Sequence, residues 1–433
     1  MNLFKTSALN AVAVGVRTLA SLVLNKVLAV AVGPQGYALM GQFQNAVSMI
    51  MTFASGAINT GVTKYTAEYG SDEPRQRRLW RTAGTIASIG TAVAVCLIAL
   101  LHRRLAVWFL HDADYGDIFL WFAFTLGLFV LNALLLAILN GKKEVRRYIS
   151  VNITGSLVAL LVTALLAVKW GVRGALIALA INQSIVVIVT VAICWRTAWF
   201  RWKDLWGRID PKIARNLFRY TLMALTTAAV VPLSQVLIRN HLVARFGWDA
   251  AGHWQAVTKI SDLYLMIITS TLSLYYLPRL SEIKNSIELR GEIIQGYKYI
   301  LPATILGAAT IFLLRDWIIA TLFARSFAPM RVLFAWQMVG DVMKIGGWLV
   351  GFVTLAQSMT RVYILAEVGF TSLMVVLVYF FTDRCGLIGV SMAFCLTYAC
   401  YWTVMIFIIR LRLNRMARGP ILAPASEVVL PNI

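Results

Sequence analysis

Apolar windows of about 20 residues, the length that carries an α-helix across roughly 30 Å of hydrocarbon, recur from one end of this 433-residue chain to the other. In lipid a backbone must satisfy its own hydrogen bonds, so windows of this kind fold as helices. Twelve can be placed, at about 8–32, 37–60, 83–101, 117–140, 149–168, 174–195, 220–238, 254–278, 299–314, 332–355, 362–381 and 388–409. The longest connections, about 196–219 and 279–298, are too short for a soluble catalytic domain. Composition agrees: 60% of residues are hydrophobic and 14% charged, against about 25% charged in an ordinary soluble domain. The expected fold class is therefore an all-α polytopic membrane protein.

The charge balance is the second constraint. There are 40 Lys and Arg against 19 Asp and Glu, a formal +21, which in a soluble chain would suggest a nucleic-acid partner. Sorted by connection, 26 of the basic residues fall in the segments that share a side with the N-terminus, ten on the other side and four in the spans. Basic residues collect in cytoplasmic loops, so both termini are expected in the cytoplasm, and the run Asp112, Asp114 and Asp117 outside. Most of the +21 then sets orientation, and no nucleic-acid partner is expected. Ala29-Val30-Ala31 has the form of a signal-peptide cleavage site, but Arg17 and Lys26 interrupt the apolar stretch before it, as a secretory core would not allow. Residues 416–433, with Pro420, Pro424 and Pro431, are expected to form a short disordered cytoplasmic tail.

Enzyme signatures are missing. The five cysteines form no CxxC pair, the four histidines form no HExxH, and there is no glycine-rich nucleotide loop. No metal, cofactor or catalytic residue is expected, and transport must draw on a gradient or on downstream consumption of its substrate.

The chain matches itself at offsets of 214 and 215 residues. Asn2-Leu3-Phe4-Lys5 falls on Asn216-Leu217-Phe218-Arg219, and Gly33 on Gly247; Arg146, Tyr148, Gly171 and Gly174 fall on Arg361, Tyr363, Gly386 and Gly389. Six spans separate the copies, so both have the same orientation, related by a pseudo-two-fold axis along the membrane normal. Two six-helix lobes, 1–205 and 206–415, around a central cavity are expected. Transporters with parallel repeats bind substrate between the halves near mid-membrane.

Seven ionisable residues fall within the spans: Arg17, Lys26, Lys259, Asp262, Asp341, Lys344 and Glu367. Each costs on the order of 2.5–3.5 kcal/mol at a helix centre, so none should face lipid. Lys259 with Asp262, and Asp341 with Lys344, are i, i+3 pairs that could neutralise each other. Arg17 and Lys26 have no acidic partner in their half of the membrane and point about 180° apart on one helix; one can line the cavity while the other pairs across helices. Through the repeat, Arg17 lands on Val231, Lys26 on Asn240, Lys259 on Asn45 and Glu367 on Asn152, so the architecture does not require these charges. They describe a cationic wall for an anionic ligand (Arg17, Lys26, Lys259, Lys344) and a carboxylate-bearing wall able to exchange protons or form ion pairs (Asp262, Asp341, Glu367). Asn45, Asn152 and Gln337 are candidate polar cavity residues for sugar hydroxyls.

The runs Gly61-Val62-Thr63-Lys64-Tyr65, Lys259-Ile260-Ser261-Asp262, Leu277-Pro278-Arg279-Leu280-Ser281, Phe334 to Lys344 and Leu365-Ala366-Glu367-Val368 resemble those of Wzx-type polysaccharide-lipid flippases. That family belongs to the multidrug, oligosaccharidyl-lipid and polysaccharide exporter superfamily, and its members serving lipid III of enterobacterial common antigen are nearest in pattern. The resemblance spans about residues 1–415. It implies alternating access in the bacterial inner membrane. The implied substrate is an oligosaccharide on undecaprenyl pyrophosphate, moved from the cytoplasmic to the periplasmic leaflet and used there by a polysaccharide polymerase working with a chain-length regulator. The alternatives are a drug or cation antiporter of the same superfamily, which would want a net acidic cavity, and a membrane polymerase or glycosyltransferase, which would want a large outer loop and clustered carboxylates.

Overall fold

The computed structural model describes residues 3–70, 72–283, 285–357 and 359–418. Most of the expected tail therefore lies outside the described residues. The described chain is helical, in the order α1 (Leu3–Ala54), α2 (Asn59–Glu68), α3 (Glu73–Leu110), α4 (Gly116–Gly141), α5 (Val145–Trp195), α6 (Pro211–Thr271), α7 (Leu277–Glu282), α8 (Ser286–Leu313), α9 (Arg315–Leu322), α10 (Phe334–Ala356), α11 (Thr360–Cys385) and α12 (Gly389–Arg418). Among the described residues, seven helical stretches are long and apolar enough to cross a membrane.

α1, α5 and α6 are each long enough, at about 1.5 Å per residue, to cross twice. Each is interrupted by a single non-helical glycine: Gly33 (φ 64°, ψ −173°), Gly171 (φ 58°, ψ −136°) and Gly247 (φ 82°, ψ 172°). Gly386 closes α11 in the same way (φ 67°, ψ −153°). This backbone region is open essentially to glycine alone, so one residue reverses the chain between two spans. With α1, α5 and α6 divided at their glycines, a helical stretch overlaps each of the twelve expected spans. The repeat reappears in these turns: Gly33 and Gly247, and Gly171 and Gly386, are matched in sequence, and all four take the same positive-φ, extended-ψ region. All four lie at one end of the helices, the glycine end. The connections that carry most of the basic residues lie at the other, the basic end.

Helices α1, α3, α4 and α5 pack together, as do α8, α10, α11 and α12, while α6 packs on both α1 and α11. The joining segment 196–210 is docked on α3: Trp206 Nε1 donates to Ser88 Oγ (2.8 Å) and Arg81 pairs with the buried Asp204. At the glycine end one hydrophobic core runs through both halves, from Leu28, Tyr37 and Phe43 to Phe323, Phe327, Phe334 and Val390. Toward the basic end the second half has a separate core of its own, including Leu265, Tyr276, Ile345, Leu349 and Met405. The halves share one core at the glycine end, while toward the basic end the second half also packs on a core of its own. The expected central cavity, the cleft, is assigned to the space between these cores.

Candidate functional site: a charged cluster beside the cleft

The walls of the site follow from the glycines of α10. A side chain at Gly340 would lie 2.3 Å from the Phe394 ring, at Gly347 2.5 Å from Tyr401, and at Gly346 2.7 Å from Trp402. Their bareness lets α12 seat its aromatic residues directly against α10. Lys344 emerges among them, its Nζ 4.9 Å from the ring centre of Trp348, 5.8 Å from Tyr398 and 5.9 Å from Phe394. Aromatic faces stabilise an ammonium without neutralising it, so the charge stays available to an anion.

One turn earlier on α10, Asp341 is fully buried. Its carboxylate accepts from Tyr264 Oη on α6 (2.8 Å) and, more weakly, from Gln337 Nε2 (3.4 Å). Gln337 Oε1 is buried without a partner. No contact ion pair joins Asp341 to Lys344, or Lys259 to Asp262, among the described residues; tertiary packing hands Asp341 to a phenol and an amide instead. Asp262 is exposed and, with Asp341, acts electrostatically on Lys344. Glu367, half-buried on α11, acts in the same way on Tyr398 and Tyr401. Three carboxylates and an ammonium thus converge from α6, α10 and α11 around the tyrosines of α12.

The remaining expected residues are dispersed. Arg17 is exposed and lies roughly opposite the exposed apolar stripe Leu19, Val23 and Val30 on α1. Lys26 reaches across the halves and donates to the Phe323 carbonyl at the end of α9 (3.0 Å), the pairing across helices that the two opposed cations left open. Lys259 and Asn45 are half-buried. Asn152 turns its amide back onto the Tyr148 carbonyl of its own helix (2.8 Å). Sequence reasoning missed Tyr264, Tyr398 and Tyr401, which count as apolar in a hydropathy window, and the buried Arg239, one residue beyond the expected limit of its span.

Over residues 3–284 the sequence matches the family described as polysaccharide biosynthesis protein. It is 33% identical over 407 residues to the lipid III flippase of Escherichia coli (strain K12) and, equally, to that of Shigella flexneri, covering 93% of this chain and 97% of each relative. Its fold is similar to an inward-facing multidrug resistance MATE family transporter of the MOP superfamily (TM-score 0.78, 14% identity, 93% of this chain and 96% of that one). An outward-facing conformation of such a transporter gives a TM-score of 0.70 at 15% identity, with 96% of both chains covered. A MOP superfamily transporter from Pyrococcus furiosus, described as having a binding pocket of reversed polarity, gives 0.69 at 16% identity, again over 96% of both. A membrane-embedded helical fold and a sequence match over most of its length lead to one assignment: the chain belongs to the polysaccharide biosynthesis protein family.

Proposed function

We propose that this protein is a flippase, a transporter and not an enzyme, that carries an undecaprenyl-pyrophosphate-linked oligosaccharide, lipid III or a similar repeat unit, across the inner membrane. The observation that carries the reading is the 33% identity to lipid III flippases over 93% of the chain. The site's chemistry supports it. A pyrophosphate headgroup is a dense anion suited to Arg17, Lys259 and Lys344, and the prenyl tail can remain in lipid while the sugar enters the cleft.

The lobes are 1–205 and 206–415, and the basic end, which holds both termini, faces the cytoplasm. The shared core at the glycine end and the cleft at the basic end then describe an inward-facing state, ready to receive substrate from the leaflet where it is made. A polysaccharide polymerase, working with a chain-length regulator, uses the product on the far side. Asp262, Asp341 and Glu367 are the proton-coupling candidates, because carboxylates in low dielectric can cycle between charged and neutral forms.

Depletion of the protein is expected to leave the undecaprenyl-linked oligosaccharide on the cytoplasmic leaflet. An unchanged distribution of that lipid removes the flippase reading. Coupling is tested with D262N, D341N and E367Q in vesicles under an imposed pH gradient. If all three keep gradient-stimulated transport, proton coupling by these residues is ruled out.

A further inference from the structure

Arg239 is the largest fully buried side chain among the described residues, 1% exposed. No carboxylate lies within ion-pair distance of it among them. Its guanidinium donates instead to two neutral amides on opposite sides of the joint between the halves: to Gln42 Oε1 on α1 (2.5 Å) and to Gln255 Oε1 on α6. It lies 5.5 Å from the Trp254 ring, and its Nε has no partner. A buried charge without a counter-ion is costly unless paired, and here neutral oxygens do the whole task.

The surroundings are shaped for this contact. A side chain at Gly41 would lie 2.6 Å from the Gln255 amide and would displace it from its present position against the guanidinium. A side chain at Gly252 would lie 2.0 Å from the Pro34 carbonyl, so the backbones of α1 and α6 touch where they close the glycine end. The polar chain continues outward. Gln42 Nε2 donates to Asn240 Oδ1 (2.8 Å), which also meets His111 Nε2 (3.0 Å). Asn240 and His111 line a surface pocket of about 410 Å³ with Arg103, Arg104 and Trp108.

We propose that Arg239 is a second anion site, held in reserve by Gln42 and Gln255 while the glycine end is shut. A phosphate-ester anion arriving from the cleft competes for the guanidinium, frees the two amides and so unlatches the joint. The anion then leaves past Asn240 toward Arg103 and Arg104. A neutral latch suits this role because an anion outcompetes an amide for a guanidinium, whereas a carboxylate in the same place would keep it. The proposal rests on the flippase reading for the identity of the anion.

The test uses the full chain in lipid vesicles, with the exposed Cys385 at the glycine end replaced by serine and a cysteine introduced at the buried Ala251 beside the joint, labelled by an impermeant maleimide from the glycine end. Undecaprenyl pyrophosphate is expected to raise labelling several-fold, and undecaprenol, the same tail without phosphate, to leave it unchanged. R239M should abolish the response and R239K retain part of it. Q42E offers Arg239 a permanent counter-ion, so it should raise the melting temperature while suppressing both labelling and transport. That gain of stability with loss of opening separates a latch from a merely structural contact, and it needs no destabilised variant. Equal responses to undecaprenol and undecaprenyl pyrophosphate, or a Q42E protein that opens like the parent, overturn the proposal. A response to undecaprenyl pyrophosphate in a protein that fails to move lipid-linked sugar would overturn the flippase reading and leave the latch standing.

Discussion

The two halves of the chain agree in their turns and differ in their chemistry. Gly33, Gly247, Gly171 and Gly386 all adopt positive φ, at positions matched in pairs by the repeat. The charges do not match: Asp341, Lys344, Asp262 and Glu367 gather in the second half, while Arg17 and Lys26 stand apart in the first. A duplicated fold fixes what the backbone needs in both copies. Divergence then equips one copy with a polar cluster, and in the other leaves Arg17 exposed and Lys26 bonded to the Phe323 carbonyl.

The sharpest way to break this comparison is at a position the copies do not share. Gly252, which corresponds to Ala38 in the first half, lets α6 touch Pro34. G252L should destabilise the closed state by about 3 kcal/mol or more, read as a lower melting temperature in detergent. Glycine-end labelling should also rise. D341A comes next: it strands the Tyr264 hydroxyl and the Gln337 amide in a buried site, a loss of about 1–3 kcal/mol, with Y264F expected to recover part of it in the double variant. The turns should then prove equivalent. G33A and G247A meet no steric obstacle, only backbone strain, so each should lose about 1–3 kcal/mol and the two losses should be similar. Unequal losses would show that the copies no longer share their turn energetics. The smallest stability effect belongs to R17Q, an exposed site, within about 0.5 kcal/mol of the parent. Transport should nevertheless fall about tenfold, the equivalent of one charge-assisted hydrogen bond of about 1.5 kcal/mol.

The spans were legible because hydropathy acts locally: the same short stretch both carries the signal and adopts the structure. The glycines were legible as markers of the repeat and not as turns. The cluster was legible in its members and not in its pairing. Asp341 and Lys344 lie three apart on one helix, and that spacing suggests a bond between them. Packing decides otherwise, because Tyr264 arrives from α6 with a hydroxyl and the glycines of α10 bring α12 close enough to surround the lysine with rings. Arg239 was hidden for a different reason. It sits at the boundary of its apolar window, where a basic residue reads as loop charge, and only the approach of α1 buries it. What sequence cannot carry at such places is the neighbour supplied by a distant part of the chain.

The single-residue reversals at Gly33, Gly171 and Gly247 also have a kinematic consequence. A long loop would let adjoining spans slide independently, but a one-glycine turn leaves almost no slack, so each pair must travel as a single lever. Six spans are thereby reduced to three moving parts, all pivoting at the end where the halves meet. Small rotations there become large displacements at the far end of levers tens of ångströms long, where an amphiphile with a bulky head would have to enter.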